Sequence, residues 1–438
     1  MTLSRDQLEA HWMPFTGNRQ FKDNPRLMVS AKGAYYTDSN GREIFDGLSG
    51  LWTCGAGHSR PEITEAVSAQ IAKLDYSPGF QYGHPLSFEL ANKVVEMTPA
   101  GLDYVFFTDS GSETIDTALK MARGYWRTLG LPGKTKFIGR MKGYHGVNYG
   151  GVGVGGIGFN RKLFGQSVDA DHISSTLLPE NQFSRGMPEA GAHLADDVEE
   201  LVLLHDASNI AAVIVEPLSG TAGVLPPPKG YLKRLREICD KHNILLIFDE
   251  VITGLGRMGS LTGAEEFGVT PDIMTLAKQI TNGTIPLGAV VVRPEIYQTF
   301  MDKGGPNYMV EFPHGYTYSA HPVACAAGIA ALDILVNDKL VERVREMAPI
   351  FENAVHSLRG SPYVTDIRNY GLAAGISLEH FPGEPLKRPF EVGLKCLEKG
   401  FYVRWGADTI QLAPPFIVNK EQIDGLINAV GEALHEVK

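Results

Sequence analysis

Two stretches limit the possible folds more than anything else in the chain. Residues 211–216, AAVIVE, and residues 244–250, ILLIFDE, are nearly continuous aliphatic runs, each closing on an acid. A strand with one face in water alternates apolar and polar residues. An uninterrupted run belongs to a strand covered on both faces. Between the two lies GYLKRLREICDKHN, residues 230–243, whose apolar positions recur at helical spacing. Strand, helix, strand in this order predicts an α/β domain on a mostly parallel sheet flanked by helices.

The alternation continues in both directions. DYVFFTD (103–109), KFIGRM (136–141), IMTLAK (273–278) and GAVVVRP (288–294) read as further strands, and SETIDTALKMARGYWRTLG (112–130) as a helix stopped by its last glycine. A chain of 438 residues exceeds the size at which one hydrophobic core stops growing, so two domains are expected. Near residue 325 the pattern changes to two long helices, then the short strands VTDIRNYG and AAGISLEH, then a helix running to about Lys438. The expected division is an N-terminal arm and part of the small domain at 1–60, a large domain at 61–325, and a smaller α+β domain at 326–438. Within the arm, Asn40-Gly41 between two short apolar runs predicts a hairpin.

Composition narrows the class of function. The net charge is −10 and no basic block occurs, which argues against nucleic acid or an anionic membrane surface as partner. Four scattered cysteines without a C-x-x-C pair point to reduced thiols and away from a disulfide framework or zinc site. The N-terminal residues lack the apolar core of a signal peptide, and no run approaches the roughly 20 apolar residues of a membrane span. A cytoplasmic enzyme without a metal is the expectation.

In open α/β sheets, ligands bind beyond the carboxyl ends of the strands. The groups at those ends are Asp109, Ser110, Gly111 and Ser112, then Glu216, Asp249 and Lys278. Ser110-x-x-Glu113 is a capping-box pattern, and a Gly/Ser turn opening a helix offers free N–H groups to an anion such as phosphate. Asp249 follows five apolar residues, so its carboxylate is expected at a buried strand end, ionised only opposite a cation. Lys278 ends another apolar run, where a desolvated amine becomes a nucleophile toward carbonyls. An acid facing a ring nitrogen, an imine-forming amine and a phosphate-holding helix end are together what pyridoxal 5′-phosphate requires. Taken singly, each has a plainer reading: a salt-bridged aspartate, a snorkelling lysine, a well-capped helix.

Other motifs lead elsewhere. Gly151-x-Gly153-x-x-Gly156 formally matches a dinucleotide fingerprint but lacks the preceding strand and following helix, so a flexible loop is expected and a nicotinamide-dependent oxidoreductase is disfavoured. PGKT at 132–135 fails as a phosphate loop because position 128 is Thr128. His58, His84 and His145 lack ligand spacing and are assigned supporting roles.

EPLSGTAGVLPPPKGYLKRLREICDKHNILLIFDEVITGLGRMG followed by PDIMTLAKQITNGTIPLGAV resembles the class III pyridoxal-phosphate-dependent aminotransferases over essentially the whole chain. HWMPFTGNRQF, LSGLWTCGAGH, FQYGHP and RMKGYHGVNYGG resemble the beta-alanine (omega-amino acid):pyruvate branch. The resemblance implies a fold-type-I transferase moving an amino group from beta-alanine or a related amine to pyruvate. Another class III donor (4-aminobutyrate, taurine or a diamine, with 2-oxoglutarate as acceptor) or a semialdehyde aminomutase is the alternative. It further implies that Lys278 carries the cofactor and shuttles the proton, and that Asp249 pairs with the ring nitrogen. Ser110, Gly111 and Ser112 would hold phosphate, joined by Thr317 from a second subunit of a homodimer. Tyr144 and Val251 would cover the two ring faces. Arg404 would take a substrate carboxylate, with Glu216 close enough to neutralise or displace it when the amine donor has no carboxylate there. Trp52, Leu51, Phe15, Phe80 and Tyr82 would line the substrate pocket, the last two across the dimer. Asp109 and Thr284 depart from the pattern, where Asn and Ala are expected.

Overall fold

A computed structural model describes residues 4–437. At its centre lies a seven-stranded sheet in the order Tyr104–Thr108, Gly288–Val292, Ile273–Leu276, Leu245–Asp249, Ile210–Val215, Lys136–Arg140, Ala170–Ile173. Gly288–Val292 runs antiparallel to both of its neighbours. The remaining pairings are parallel. Every residue of Ile210–Val215 and Leu245–Asp249 is buried, as their unbroken aliphatic character requires.

Helix Gly111–Thr128 covers one face. Its buried side (Ile115, Ala118, Leu119, Met121, Ala122, Trp126) packs on the sheet, and Trp126 Nε1 donates to the Ala211 carbonyl at 2.8 Å. The chain leaves it through Leu129 and turns at Gly130, whose φ is +83°. Helix Tyr231–Lys241 lies between the two aliphatic strands in sequence, with Leu232, Leu235, Ile238 and Cys239 buried.

The segments expected to form the small domain contribute two four-stranded sheets. One is the antiparallel set Val364–Tyr370, Ala373–Leu378, Thr409–Leu412, Arg404–Gly406. In the other, the hairpin of Tyr35–Asp38 and Glu43–Asp46 turns through Gly41 at φ +80° and pairs in parallel with Phe401–Tyr402. The arm is thus tied to the C-terminal part of the chain. Helix Pro322–Asn337 is buried along nearly its whole length and leads into Leu340–His356. The final helix spans Lys420–Glu436, and the residue at which sequence reading ended it, Lys438, lies outside the described residues.

Two expectations need correction. The glycine-rich 150–156 stretch is not a flexible loop: Tyr149–Val154 and Gly158–Phe164 are short helices, and residues 150–156 are buried. The glycines serve close packing. A Cβ on Gly151 would fall 2.0 Å from the His145 carbonyl oxygen. The capping box at Ser110 is only half made. Ser110 Oγ accepts from Glu113 N–H at 3.3 Å, but the Glu113 carboxylate takes the N–H of Asp109 at 2.8 Å, one residue earlier than the pattern demands.

Candidate active site

Antiparallel insertion of Gly288–Val292 leaves the carboxyl ends of Tyr104–Thr108, Ile273–Leu276 and Leu245–Asp249 on one rim. Asp249 ends its strand there, 5% exposed. Its Oδ2 lies 2.8 Å from His145 Nδ1, and its Oδ1 accepts from Val251 N–H at 3.1 Å. A buried carboxylate needs such partners to remain in place. His145 Nε2 is buried with no partner among the described residues.

Two strands meet beside it. Ala277 leaves Ile273–Leu276, and Lys278 opens the turn Lys278–Thr281 with φ +51°, a left-handed conformation uncommon for a lysine. Its amine makes no hydrogen bond or ion pair among the described residues. Desolvation pulls the amine down to about 8 from 10.5; Asp249 and Glu216 oppose the shift, while Arg404 and Arg257 add to it.

The helix N-terminus at Gly111 touches both neighbours. A Cβ there would lie 3.0 Å from Val251 Cγ1 and 3.7 Å from the Ala277 Cβ. The N–H groups of Gly111 and Ser112 have no acceptor among the described residues, whereas Ser112 Oγ already accepts from Val147 N–H at 3.1 Å. Val251 reaches this point from the turn after Asp249, because the strand has ended; alternation along a strand is not what places it.

Tyr144 donates its N–H to Glu216 Oε1 at 3.0 Å, and burial raises its hydroxyl, with Arg404 acting against the shift. Glu216 is 4% exposed; its Oε2 accepts from Gly220 N–H at 3.1 Å, and desolvation raises its carboxyl. No ion pair joins Glu216 to Arg404 among the described residues. Arg404, on the strand Arg404–Gly406, is partly buried and its guanidinium has no hydrogen-bond partner there. Desolvation raises Asp109 to about 6, aided by the charge of Glu113.

The remaining predicted residues come from other segments of the chain. Trp52 is buried among apolar side chains. It is 2% exposed in a cluster with Leu48, Leu218, Val224 and Ile252, its Nε1 unpartnered, with Arg257 over its ring at 5.8 Å. Leu51 next to it is exposed, as are Phe15, Phe80 and Tyr82. Thr317 is exposed too, its carbonyl accepting from Tyr76 O–H at 3.1 Å.

Sequence reading overlooked Arg257, Gln279 and Asn282. Arg257 Nη1 donates to the carbonyls of Leu372 (3.1 Å) and Pro414 (2.7 Å), and Nη2 to Ser49 Oγ (3.0 Å), joining three distant segments. The only signal was its place soon after Asp249 in a Gly-rich turn. His145 was assigned a supporting role, and its contact with Asp249 is such a role.

Pyridoxal 5′-phosphate is the group whose chemistry these residues fit. An unpaired amine, an anchored buried acid, two free N–H groups at a helix N-terminus and a free guanidinium face one region, and together they ask for a ligand with a carbonyl, a basic nitrogen and anionic ends.

Comparison with known proteins gives four likenesses of the same kind. The class-III aminotransferase family matches residues 17–434. The chain is 61% identical to a beta-alanine–pyruvate aminotransferase of Pseudomonas aeruginosa, over 98% of this chain and 96% of that protein. It is 60% identical to an omega-amino acid–pyruvate aminotransferase of Pseudomonas putida, over 99% and 97%. An amine transaminase from an uncultivated Pseudomonas species, solved in its PLP-bound form, superposes with a TM-score of 0.91 at 34% identity, covering 98% of this chain and 99% of that one.

Proposed function

This chain belongs to the class-III aminotransferases, fold-type-I enzymes of pyridoxal 5′-phosphate, and we propose that it moves an amino group from beta-alanine or a related omega-amino acid or amine to pyruvate. With beta-alanine the products are malonate semialdehyde and L-alanine. The observation that carries the reading is the pairing of a buried, anchored Asp249 with a desolvated, unpartnered Lys278 on one rim. When bound, the cofactor supplies an aldehyde that condenses with amines and a ring that accepts the electron pair left when a substrate C–H bond breaks.

The chain's own groups do the rest. Lys278, its amine pulled down to about 8 by desolvation, accepts the proton at Nζ and returns it to a neighbouring atom. Asp249, fixed by His145 and Val251 N–H, would hold negative charge opposite a protonated ring nitrogen. Gly111 and Ser112 N–H groups, with the Ser110 hydroxyl beside them, would receive the phosphate at the positive end of helix Gly111–Thr128. Tyr144 and Val251 would exclude water from the two ring faces. Arg404, free of partners, takes a carboxylate in a two-pronged contact. Glu216 stays with the backbone that holds it.

Thr317, Phe80 and Tyr82 are exposed, which suits a part in the site of a second copy in a homodimer in which each copy completes the other's pocket. Leu51 and Trp52 belong to the same chain's side of that pocket. No described helix is long and apolar enough to cross a membrane, and the four cysteines are unpaired, which supports a cytoplasmic enzyme.

Half-reactions of the amine-loaded enzyme with pyruvate and with 2-oxoglutarate test the reading. Rapid return with pyruvate, after loading by beta-alanine, is expected. Rapid turnover with 2-oxoglutarate alone would overturn the pyruvate assignment.

A further inference from the structure

Two buried amides hold the turn of Lys278 from outside. Gln279 and Asn282 are each 4% exposed. Gln279 Oε1 accepts from the N–H of Gly55 at 2.7 Å. Asn282 Oδ1 accepts from the N–H of Ala56 at 2.9 Å, and its Nδ2 donates to the Gly57 carbonyl at 2.7 Å. The turn does not need these contacts to close, since Gly283 N–H already reaches the Lys278 carbonyl at 3.1 Å and Asn282 N–H that of Gln279 at 2.9 Å. The facing segment fits them tightly: a Cβ on Gly55 would lie 2.6 Å from Gln279 Oε1 and 2.5 Å from the Phe416 ring. Residues 55–57 follow Leu51 and Trp52 after Thr53 and Cys54.

We propose that Gln279 and Asn282 are positioning residues whose side-chain amides clasp residues 55–57 and thereby keep the Lys278 amine aimed at the reacting carbon. The inference rests on the assignment of Lys278 as the amine of the reaction. Its physical core is the left-handed backbone of Lys278, φ +51°. Such a conformation in a non-glycine residue persists only where surroundings over-determine it. Three hydrogen bonds between buried groups, none solvated when broken, supply that constraint. Loosened, the residue relaxes to negative φ and its amine swings away from Asp249. The same clasp couples the segment bearing Leu51 and Trp52 to the lysine, so a movement of one is felt by the other.

Asn282→Gly is the informative variant. Glycine keeps the left-handed backbone that position 282 adopts (φ +52°) and removes only the amide. Holoenzyme of this variant is expected to retain its visible absorbance band, to shift the pH midpoint of that band by at least half a unit, and to lose at least tenfold in kcat with KM for the amine within twofold. Should Asn282→Gly not fold, Gln279→Met, of similar volume and without the acceptor, reads the clasp from its other end. Parent-like kcat and midpoint in either folded variant overturn the clasp. Lys278→Ala separates the two levels of inference. Loss of the visible band there, with parent-like clasp variants, sinks only the clasp, whereas retention of the band sinks the lysine assignment itself.

Discussion

The imidazole Nδ1 of His145 stands 2.8 Å from Oδ2 of Asp249, and both side chains are buried. The pair shares no sequence neighbourhood. One residue comes from the segment after Lys136–Arg140 and the other from the end of Leu245–Asp249, two strands away in the sheet.

From that contact follows the first prediction. His145→Leu leaves the carboxylate short of a partner and free to turn. A hydrogen bond to a charged group is worth about 1.5–3 kcal/mol, so kcat/KM should fall by roughly 10- to 100-fold. His145→Asn, which retains a donor, should recover part of the loss. Steady-state kinetics with beta-alanine and pyruvate checks both, and an unchanged kcat/KM in His145→Leu would deny His145 its role.

A pH dependence attaches to Lys278 in the cofactor-free protein. Its amine falls from 10.5 to about 8 on folding because the charged form is desolvated. The folded state therefore binds fewer protons than the unfolded one between these values, and stability rises with pH across that window. The contribution is fully present above 10.5 and is lost as pH falls through about 8. Cofactor-free parent protein should gain a few kcal/mol, on the order expected for a shift of this size, between pH 8 and 10.5. Lys278→Met should gain correspondingly less. Urea unfolding across the window measures the difference.

Arg404 offers a test of substrate recognition. Its guanidinium has no hydrogen-bond or ion-pair partner among the described residues, so Arg404→Leu costs the fold little. Donors with a distal carboxylate should show KM raised about 10- to 100-fold, in line with a charge-assisted pair worth roughly 1.5–3 kcal/mol. Amines without a carboxylate should be nearly unaffected or improved. A donor series compared at fixed pyruvate decides the matter, and equal losses for both kinds of donor would count against the assignment.

Stability should depend strongly on Arg257. Its substitution by Met strands the buried carbonyls of Leu372 and Pro414, while the Ser49 hydroxyl keeps only its bond to the Ala413 carbonyl. With unsatisfied buried acceptors at about 1–3 kcal/mol each, a loss of several kcal/mol and a clearly lower Tm are expected by calorimetry.

Gly151→Ala should be at least as damaging, because the added methyl meets the His145 carbonyl oxygen at 2.0 Å. Overpacking of this kind costs about 1–3 kcal/mol or more. Since the displaced residue is His145, cofactor retention should weaken along with Tm, and a dialysis assay for cofactor loss reports on it.

What could be read from sequence divides along the range of the interactions. Ile210–Val215, Leu245–Asp249 and the helix from Gly111 were legible because each announces itself through a local pattern of apolar residues or a cap. Ala170–Ile173 was not, since ADHI is a short edge strand with two polar residues. The glycines of 150–156 looked like freedom and turned out to be proximity; nothing nearby in sequence says that the His145 carbonyl passes over Gly151. Asp249, Lys278 and Gly111 stood out because strand ends are marked by the residue that interrupts an aliphatic run. Gln279, Asn282 and Arg257 did not, because their partners lie far along the chain and their residue types are ordinary in turns.

The reversed strand Gly288–Val292 has a consequence for how the molecule comes into being. It is the bridge between Tyr104–Thr108 and the rest of the sheet, yet it is the last of the seven strands to be synthesised. Until it inserts, the segment ending at Gly111 has no lateral connection to the one ending at Ala277. Loops this long close slowly. A nascent chain released short of it should hold vitamin B6 no better than an unfolded polypeptide does, and affinity should arrive as a late, all-or-none event in refolding.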